Sequence, residues 1–244
     1  ESDVKMETKS FQVMTRAAKS YSVNYCDVPA LTYNGLNNTY KTRIQTECEP
    51  IGTNAYKCYD RLSRLKMALA RVLSSNEISD SVRIGLGQFS TPTSSTTRVG
   101  IDSRSGGFSY GHDGRSGRVI YPAVALTKVN REALIDKMVG LESYNGTPSA
   151  SAYGESGAYF LGANTYNMTY SGYGSSDTSS RTGNSGYIAP VTSAEMANTC
   201  NGQGIYFLTD GIANNSNASS TQAIMNKSVT LSGTGLIGGG NAAS

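Results

Sequence analysis

The chain has 244 residues, of which 16% are charged and 38% hydrophobic, with a formal net charge of +3. This length suits one large domain, or one domain with a smaller appendage. Sixteen tyrosines, no tryptophan and abundant Ser, Thr, Asn and Gly are more typical of an extracellular surface with polar loops than of a compact cytosolic enzyme. No Lys/Arg cluster is interleaved with aromatic residues, so we expect no nucleic-acid partner. The chain contains no run of about 18 apolar residues, so the sequence predicts no membrane span.

The four cysteines predict disulfides rather than a zinc site. Cys26, Cys48 and Cys58 fall early, Cys200 is remote, and the only histidine is His112. Zinc sites need tighter spacing and more histidine, whereas an even cysteine count suits two disulfides in an oxidising compartment. Three connectivities are open, of which Cys48–Cys58 closes the shortest loop. Reduced, buried thiols are the alternative.

The first 59 residues predict short strands followed by polar loops. Alternation at residues 11–13 and 21–25 indicates the strands, and Asn- and Thr-rich segments with three cysteines come next. We interpret residues 1–59 as N-terminal strands with a disulfide-bearing insertion. They are expected to belong to the same domain as residues 60–244.

Two helices, a strand and a hairpin are predicted in the middle of the chain. Asp60 is a good N-cap for a helix that runs through Ser75, because apolar residues recur there at helical spacing. Residues 82–89 alternate at period two and predict a strand. Residues 91–118 are rich in Gly and Ser and predict a protruding hairpin. A second helix is predicted to begin near Asn130.

The C-terminal part predicts two further helices and a buried strand. Thr147 is placed to cap a helix whose first residue is Pro148. Residues 163–200 form a long polar tract, which indicates either a functional or a mobile segment. Residues 205–208 predict a buried strand, and a helix follows near residues 220–226. Helices alternating with strands predict an α/β domain with a largely parallel sheet.

Three segments together resemble one family. Residues 64–90, 146–162 and 200–211 are similar to the von Willebrand factor A-like domain of the PilC/PilY family, the tip-associated adhesins of bacterial type IV pili. The similarity covers roughly residues 60–230. It implies a Rossmann-like α/β fold with a mostly parallel central sheet flanked by helices, plus long loop and hairpin insertions. Residues 60–244 are expected to be a C-terminally truncated copy of this domain.

The same resemblance implies a site for Mg²⁺ or Ca²⁺. Such domains typically combine an Asp-x-Ser-x-Ser loop, a threonine from a second loop and an aspartate from a third. Thr147 matches the threonine and Asp210 the aspartate, but no segment matches the first loop, which we expect upstream of Glu1 or lost. One hydroxyl and one carboxylate are too few ligands for either ion. A helix cap for Thr147 and a tight turn for Asp210 are the alternatives without a metal.

Tyrosines in the long polar tract are candidate ligand contacts. Tyr166, Tyr170, Tyr173 and Tyr187 lie among Ser, Gly and Asn residues. Binding loops often use this composition, because tyrosine offers a large contact area at a low entropy cost. The alternative is that these rings pack the tract onto the domain.

The function expected from the resemblance is adhesion without catalysis. His112 lies in a Gly-rich segment without the context of a nucleophile, so an enzyme is not expected. The resemblance implies an extracellular module at the pilus tip or associated with the outer membrane. It is expected to attach the pilus to host cells or surfaces and to support pilus biogenesis. Its expected partners are a host-cell or surface receptor, and minor pilins or other pilus tip components. The alternative is a structural or assembly module with a degenerate metal site and no direct receptor binding.

Overall fold

The computed structural model describes residues 4–89, 115–142, 146–197, 202–209 and 212–232. The chain divides into two compact units. The first comprises residues 1–82 and 125–142, and the second comprises residues 83–124 and 143–244. No helix in these ranges is both long enough and apolar enough to cross a membrane.

The first unit contains a four-stranded antiparallel sheet. Its strands are β1 (Lys5–Phe11), β2 (Lys19–Val28), β3 (Glu49–Gly52) and β4 (Ala55–Tyr59), in the order β1-β2-β4-β3. Two short helices, α1 (Ala30–Gly35) and α2 (Asn38–Glu47), connect β2 to β3. The strand predicted at residues 21–25 lies within β2. The strand predicted at residues 11–13 shares only residue 11 with β1.

Two predicted helices are confirmed in the first unit. The helix α3 (Arg61–Ser74) begins after Asp60, whose carboxylate accepts a hydrogen bond from the Ser63 backbone N–H at 2.6 Å. The helix α4 (Lys128–Val139) begins after Thr127, whose hydroxyl accepts one from the Asn130 backbone N–H at 3.3 Å. Side-chain caps of this kind satisfy N–H groups that have no partner within the helix.

Arg131 on α4 is completely buried in the first unit. A guanidinium carries five donors in a planar fork, so its burial requires several acceptors at once. The acceptors come from the end of α3, the loop that follows it and the loop before α4. They are the carbonyl oxygens of Leu73, Ser75, Ile78 and Leu126, and the carboxylate of Asp80.

The described residues of the second unit form a two-stranded sheet, three helices and two 3₁₀ turns. The elements are β5 (Arg83–Phe89), β6 (Gly117–Ala125), α5 (Ser149–Phe160), the turns Tyr173–Ser175 and Thr178–Ser180, α6 (Ser193–Ala197) and α7 (Ala218–Ser232). A Cβ atom on Gly85 would meet the Ala123 backbone, and one on Gly87 would meet the Arg118 carbonyl. The pairing therefore runs antiparallel, because residue numbers rise on one strand as they fall on the other. The strand predicted at residues 82–89 is confirmed as β5.

The predicted parallel sheet is wrong. The four-stranded sheet pairs antiparallel throughout, and no parallel pair occurs among the described residues. Residues 205–208, predicted as a buried strand, have no regular secondary structure, and Tyr206 and Leu208 are exposed. The physical reason is visible in residues 6–11 of β1 and 19–23 of β2, where exposed and less exposed positions alternate. That pattern is typical of an antiparallel sheet with one solvated face. The von Willebrand A fold expected from the resemblance is therefore not the fold of this chain.

We expect Arg131→Met to lower the free energy of unfolding by at least about 3 kcal/mol, because several buried carbonyl groups lose their donor at once. Urea denaturation measures the difference. Arg71→Met is the matched control on α3, where the side chain is exposed, and its effect should stay within about 0.5 kcal/mol. Equal stabilities for the two variants would contradict the role assigned to Arg131.

Candidate functional site

The N-terminal ends of α5 and α7 lie side by side in the second unit. The Thr147 backbone N–H donates to Asn214 Oδ1 at 2.8 Å, and the Asn214 backbone N–H donates to the Thr147 carbonyl oxygen at 2.9 Å. One turn further along α5, the hydroxyl groups of Ser151 and Thr221 are 3.0 Å apart in a buried position. These bonds place Thr147 against the segment that follows Asp210 in the chain.

Gly154 of α5 faces α7 closely. A Cβ atom on Gly154 would lie 3.4 Å from Met225 Cγ and 3.7 Å from both Ile224 Cγ2 and Thr221 Cγ2, which is ordinary van der Waals contact. An alanine would therefore fit at this position, whereas a side chain larger than alanine would displace α7. The small residues in this part of the sequence therefore serve helix packing.

An open cavity of about 300 Å³ lies beside this helix pair. None of its lining residues is charged: they are Ser149, Ala150, Tyr153, Phe207, Thr221 and Met225. The Phe207 ring stacks on the Phe89 ring of β5, with ring centroids 5.5 Å apart and an interplanar angle of 9°. This contact holds the segment 202–209 at the cavity although that segment forms no strand.

Exposed apolar side chains belong to the cavity lining or lie close to it in the chain. Tyr153 lines the cavity and is 52% exposed, and Tyr206 and Leu208, which are 87% and 47% exposed, flank the lining residue Phe207 in the chain. Ile212 is 91% exposed and lies two residues before Asn214, which contacts Thr147 next to α5. We refer to these four residues and the cavity as the α5–α7 surface. Contiguous apolar patches on soluble proteins mark interaction sites more often than not. Sequence analysis missed this site, although the run of four apolar residues at 205–208 was its signal.

The predicted cation ligands are not brought together among the residues that the structure describes. Thr147 does not cap α5: the cap position is Pro148, without a side-chain bond, and the Thr147 carbonyl accepts from Ser149 N–H at 2.8 Å. Asp210 lies outside the described residues. Beside Thr147, the nearest contact from the facing loop is Asn214 Oδ1, a neutral oxygen that already accepts a hydrogen bond.

A divalent cation therefore finds no adequate set of ligands in the described part of the chain. No group of three or more His, Cys, Asp or Glu side chains there could hold a metal ion. Hydroxyl and amide oxygens without a carboxylate are a poor match for Mg²⁺ or Ca²⁺. The site expected at Thr147 and Asp210 depends on Asp210 and on further acidic ligands, and it stays a prediction.

The candidate ligand tyrosines divide into two pairs. Tyr166 and Tyr170 lie at the surface, and the Tyr170 hydroxyl accepts a hydrogen bond from Arg115 Nη1 at 2.5 Å. Tyr173 and Tyr187 are buried core residues, whose ring centroids are 4.8 Å apart in an edge-to-face arrangement. Tyr173 and Tyr187 therefore fit the alternative in which the rings pack the polar tract onto the domain. A ligand cannot reach them in this fold.

A buried carboxyl group explains why the polar tract folds onto α5. Oε1 of Glu155 accepts hydrogen bonds from the Tyr187 hydroxyl at 2.6 Å, Thr165 Oγ1 at 2.7 Å and Ser171 Oγ at 3.2 Å. Oε2 is buried with no partner among the described residues. Burial raises the pKa of Glu155, and the hydrogen bonds from Tyr187 and Thr165 only partly oppose this effect.

The cysteines form one of the expected disulfides. Cys48 and Cys58 are bonded, with their Cα atoms 4.5 Å apart. Cys26 is bonded to no described cysteine. Cys200 lies outside the described residues, as do His112 and most of the hairpin predicted at residues 91–118.

The pH dependence of stability in the variant Glu155→Gln tests whether burial raises the pKa of this carboxyl group. A raised folded pKa means that the stabilising contribution of Glu155 is full below its unfolded pKa of about 4.3 and is lost as pH rises through the folded pKa. We expect the stability of Glu155→Gln relative to the unaltered protein to increase steadily with pH. Chemical denaturation between pH 4 and pH 9 measures the trend.

Glu132→Gln is the control for that trend, because its effect should be nearly constant between pH 4 and pH 9. The hydrogen bond from Arg16 is the main cause that lowers the pKa of Glu132 to about 2. The contribution of Glu132 is therefore fully present above the unfolded pKa and is lost only as pH falls toward 2. A Glu155→Gln difference that stays flat with pH would show that Glu155 titrates normally.

Melting temperatures in EDTA, Mg²⁺ and Ca²⁺ test the cation site that the resemblance implies. A cation that binds the native state raises the melting temperature. If Thr147 and Asp210 hold a cation, we expect an increase in Ca²⁺ or Mg²⁺ that disappears in Asp210→Ala, whereas equal melting temperatures in all three conditions would contradict the site.

Comparison with known proteins provides no relative for this chain. No family model matches it, and neither do any curated protein or any solved structure. A functional argument therefore depends on the residues of the chain itself.

Proposed function

We propose that this chain is a non-catalytic adhesion module of a type IV pilus tip protein, acting outside the bacterial cell. The α5–α7 surface is its contact with a receptor on a host cell or other surface. The observation that supports this proposal is an open cavity with an uncharged lining that includes the half-exposed Tyr153, together with the exposure of Tyr206 and Leu208 on either side of the lining residue Phe207 in the chain. The resemblance in the sequence supports the pilus assignment.

The segments that carry the resemblance also build this surface. Residues 146–162 contain α5 with Tyr153, and residues 200–211 contain Phe207 and Tyr206. The segments that resemble the family therefore include residues of the α5–α7 surface, although the chain does not form the von Willebrand A fold. Proteins with different folds can present the same binding chemistry.

The chemistry of the surface favours an uncharged partner group. The cavity lining offers two aromatic rings, a methionine and hydroxyl groups, and no charge. Tyrosine combines a large apolar contact with one hydrogen-bonding group, and it loses little entropy when it becomes ordered. An apolar or amphipathic group of the receptor, held by few direct hydrogen bonds, is the expected ligand.

A second candidate is an assembly module of the pilus tip. The observation that favours it is the segment 204–209, which alternates like a strand but pairs with no strand among the described residues. Another component of the pilus tip could pair with such a segment by strand addition, in which main-chain hydrogen bonds supply affinity. Minor pilins are the partners expected for this role.

Binding of the purified chain to host cells tests the proposal. We expect the double variant Tyr206→Ser, Ile212→Ser to bind at least about tenfold more weakly, because the surface loses its two most exposed apolar side chains. The melting temperature should not change, since both side chains are exposed. Leu31→Ser is the matched control, because Leu31 is 88% exposed but lies in the first unit.

The two candidate functions predict different results. Unchanged cell binding by the double variant, together with loss of pilus assembly in bacteria, would support the assembly role. Equal loss of cell binding in the Leu31→Ser control would contradict a specific contact at the α5–α7 surface.

A further inference from the structure

Three cysteines lie in a row in the first unit, two of them on the neighbouring strands β2 and β4 and the third, Cys48, immediately before β3. Cys26 on β2 is the direct register partner of Cys58 on β4. On the other side of β4, Glu49 of β3 pairs with Lys57, so Cys48 stands opposite Cys58 at the next position of the ladder. Directly opposed residues of antiparallel strands project to the same face of the sheet. Cys58 is thus flanked by one cysteine on each side.

The central cysteine is within bonding distance of both neighbours. Cys48 and Cys58 are already bonded, with a Cα–Cα distance of 4.5 Å. Directly opposed antiparallel residues have Cα atoms about 4.5 or 5.5 Å apart, and disulfides span about 4.4–6.8 Å. The Cys26–Cys58 pair therefore meets the distance requirement without any movement of the backbone.

The two outer cysteines cannot pair with each other in this fold. They are separated by two strand spacings, which amount to about 9–10 Å, whereas pairs with Cα atoms more than about 7 Å apart cannot be bridged without backbone movement. Cys58 is the shared member of two alternative bonds. Cys26, Cys48 and Cys58 are all partly exposed, so solvent and reagents reach them.

We propose that these residues form an intramolecular thiol–disulfide exchange site. The Cys26 thiol loses its proton to solvent, and the thiolate attacks Cys58 Sγ. The Cys26–Cys58 bond forms as the Cys48–Cys58 bond breaks, and Cys48 leaves as a thiolate that takes up a proton from solvent. The exchange needs no external oxidant or reductant, because one disulfide and one thiol are present before and after it.

The exchange changes which elements are covalently joined. In the Cys48–Cys58 state the bond closes the β3–β4 hairpin at its base, next to the end of α2. In the Cys26–Cys58 state it joins β2 to β4, and the hairpin and α2 are no longer tethered. The free thiol then belongs to Cys48 at the C-terminal end of α2 and no longer to Cys26 on β2. An external thiol or disulfide can react with it there.

Single cysteine variants of the full chain test the proposal, each in a Cys200→Ser background that removes the remote thiol. After oxidation with oxidised glutathione and removal of mixed disulfides by mild exchange, we expect Cys48→Ser to contain the Cys26–Cys58 bond. Cys58→Ser is the matched control, and both of its thiols should remain open to alkylation. Non-reducing peptide mapping by mass spectrometry identifies the bonds, and circular dichroism confirms that each variant is folded.

A time course on the unaltered chain decides the question independently of any variant that fails to fold. The native protein is incubated without redox reagents at pH 8, quenched with acid, alkylated to block free thiols, digested under acidic conditions and mapped. Linked peptides containing Cys26–Cys58 alongside Cys48–Cys58 are the expected result. Persistent alkylation of Cys26 with only Cys48–Cys58 linked would overturn the proposal, as would a stable bond between Cys26 and Cys200.

Discussion

The buried carboxyl group of Glu155 is the constraint on which the second unit depends. A buried carboxyl group is costly unless hydrogen-bond donors surround it, and the polar tract supplies these donors from Thr165, Ser171 and Tyr187. The tract therefore folds onto one side of α5. Tyr153 is two positions from Glu155 and thus almost opposite it on the helix. This arrangement leaves Tyr153 on the side that carries the α5–α7 surface.

Features encoded within one element could be predicted from the sequence, and features that depend on distant neighbours could not. Asp60 as a cap and the apolar stripe behind it define α3 locally, and α4 is encoded in the same way. Whether residues 205–208 join a sheet depends on the availability of a strand edge elsewhere in the fold. A short apolar run alone cannot provide that information. The parallel sheet was therefore the part of the prediction that failed.

The candidate site shows the same division between local and distant information. The sequence indicated that tyrosines near α5 were important, but it could not separate Tyr173 and Tyr187 in the core from Tyr153 at the surface. That separation follows from a polar network between residues far apart in the chain, centred on Glu155. The match of Thr147 to a cation ligand was also a local inference, and its backbone bonds to Asn214 instead join two helix ends.

The accessibility of individual tyrosines tests most directly which of them a partner can contact. Nitration of the native chain with tetranitromethane, followed over time by peptide mass spectrometry, measures this accessibility residue by residue. The fold predicts rapid modification of Tyr153 and Tyr206, and protection of Tyr173 and Tyr187 until the protein unfolds. Rapid modification of Tyr173 and Tyr187 in the native protein, or protection of Tyr153 and Tyr206, would contradict the proposed location of the contact surface.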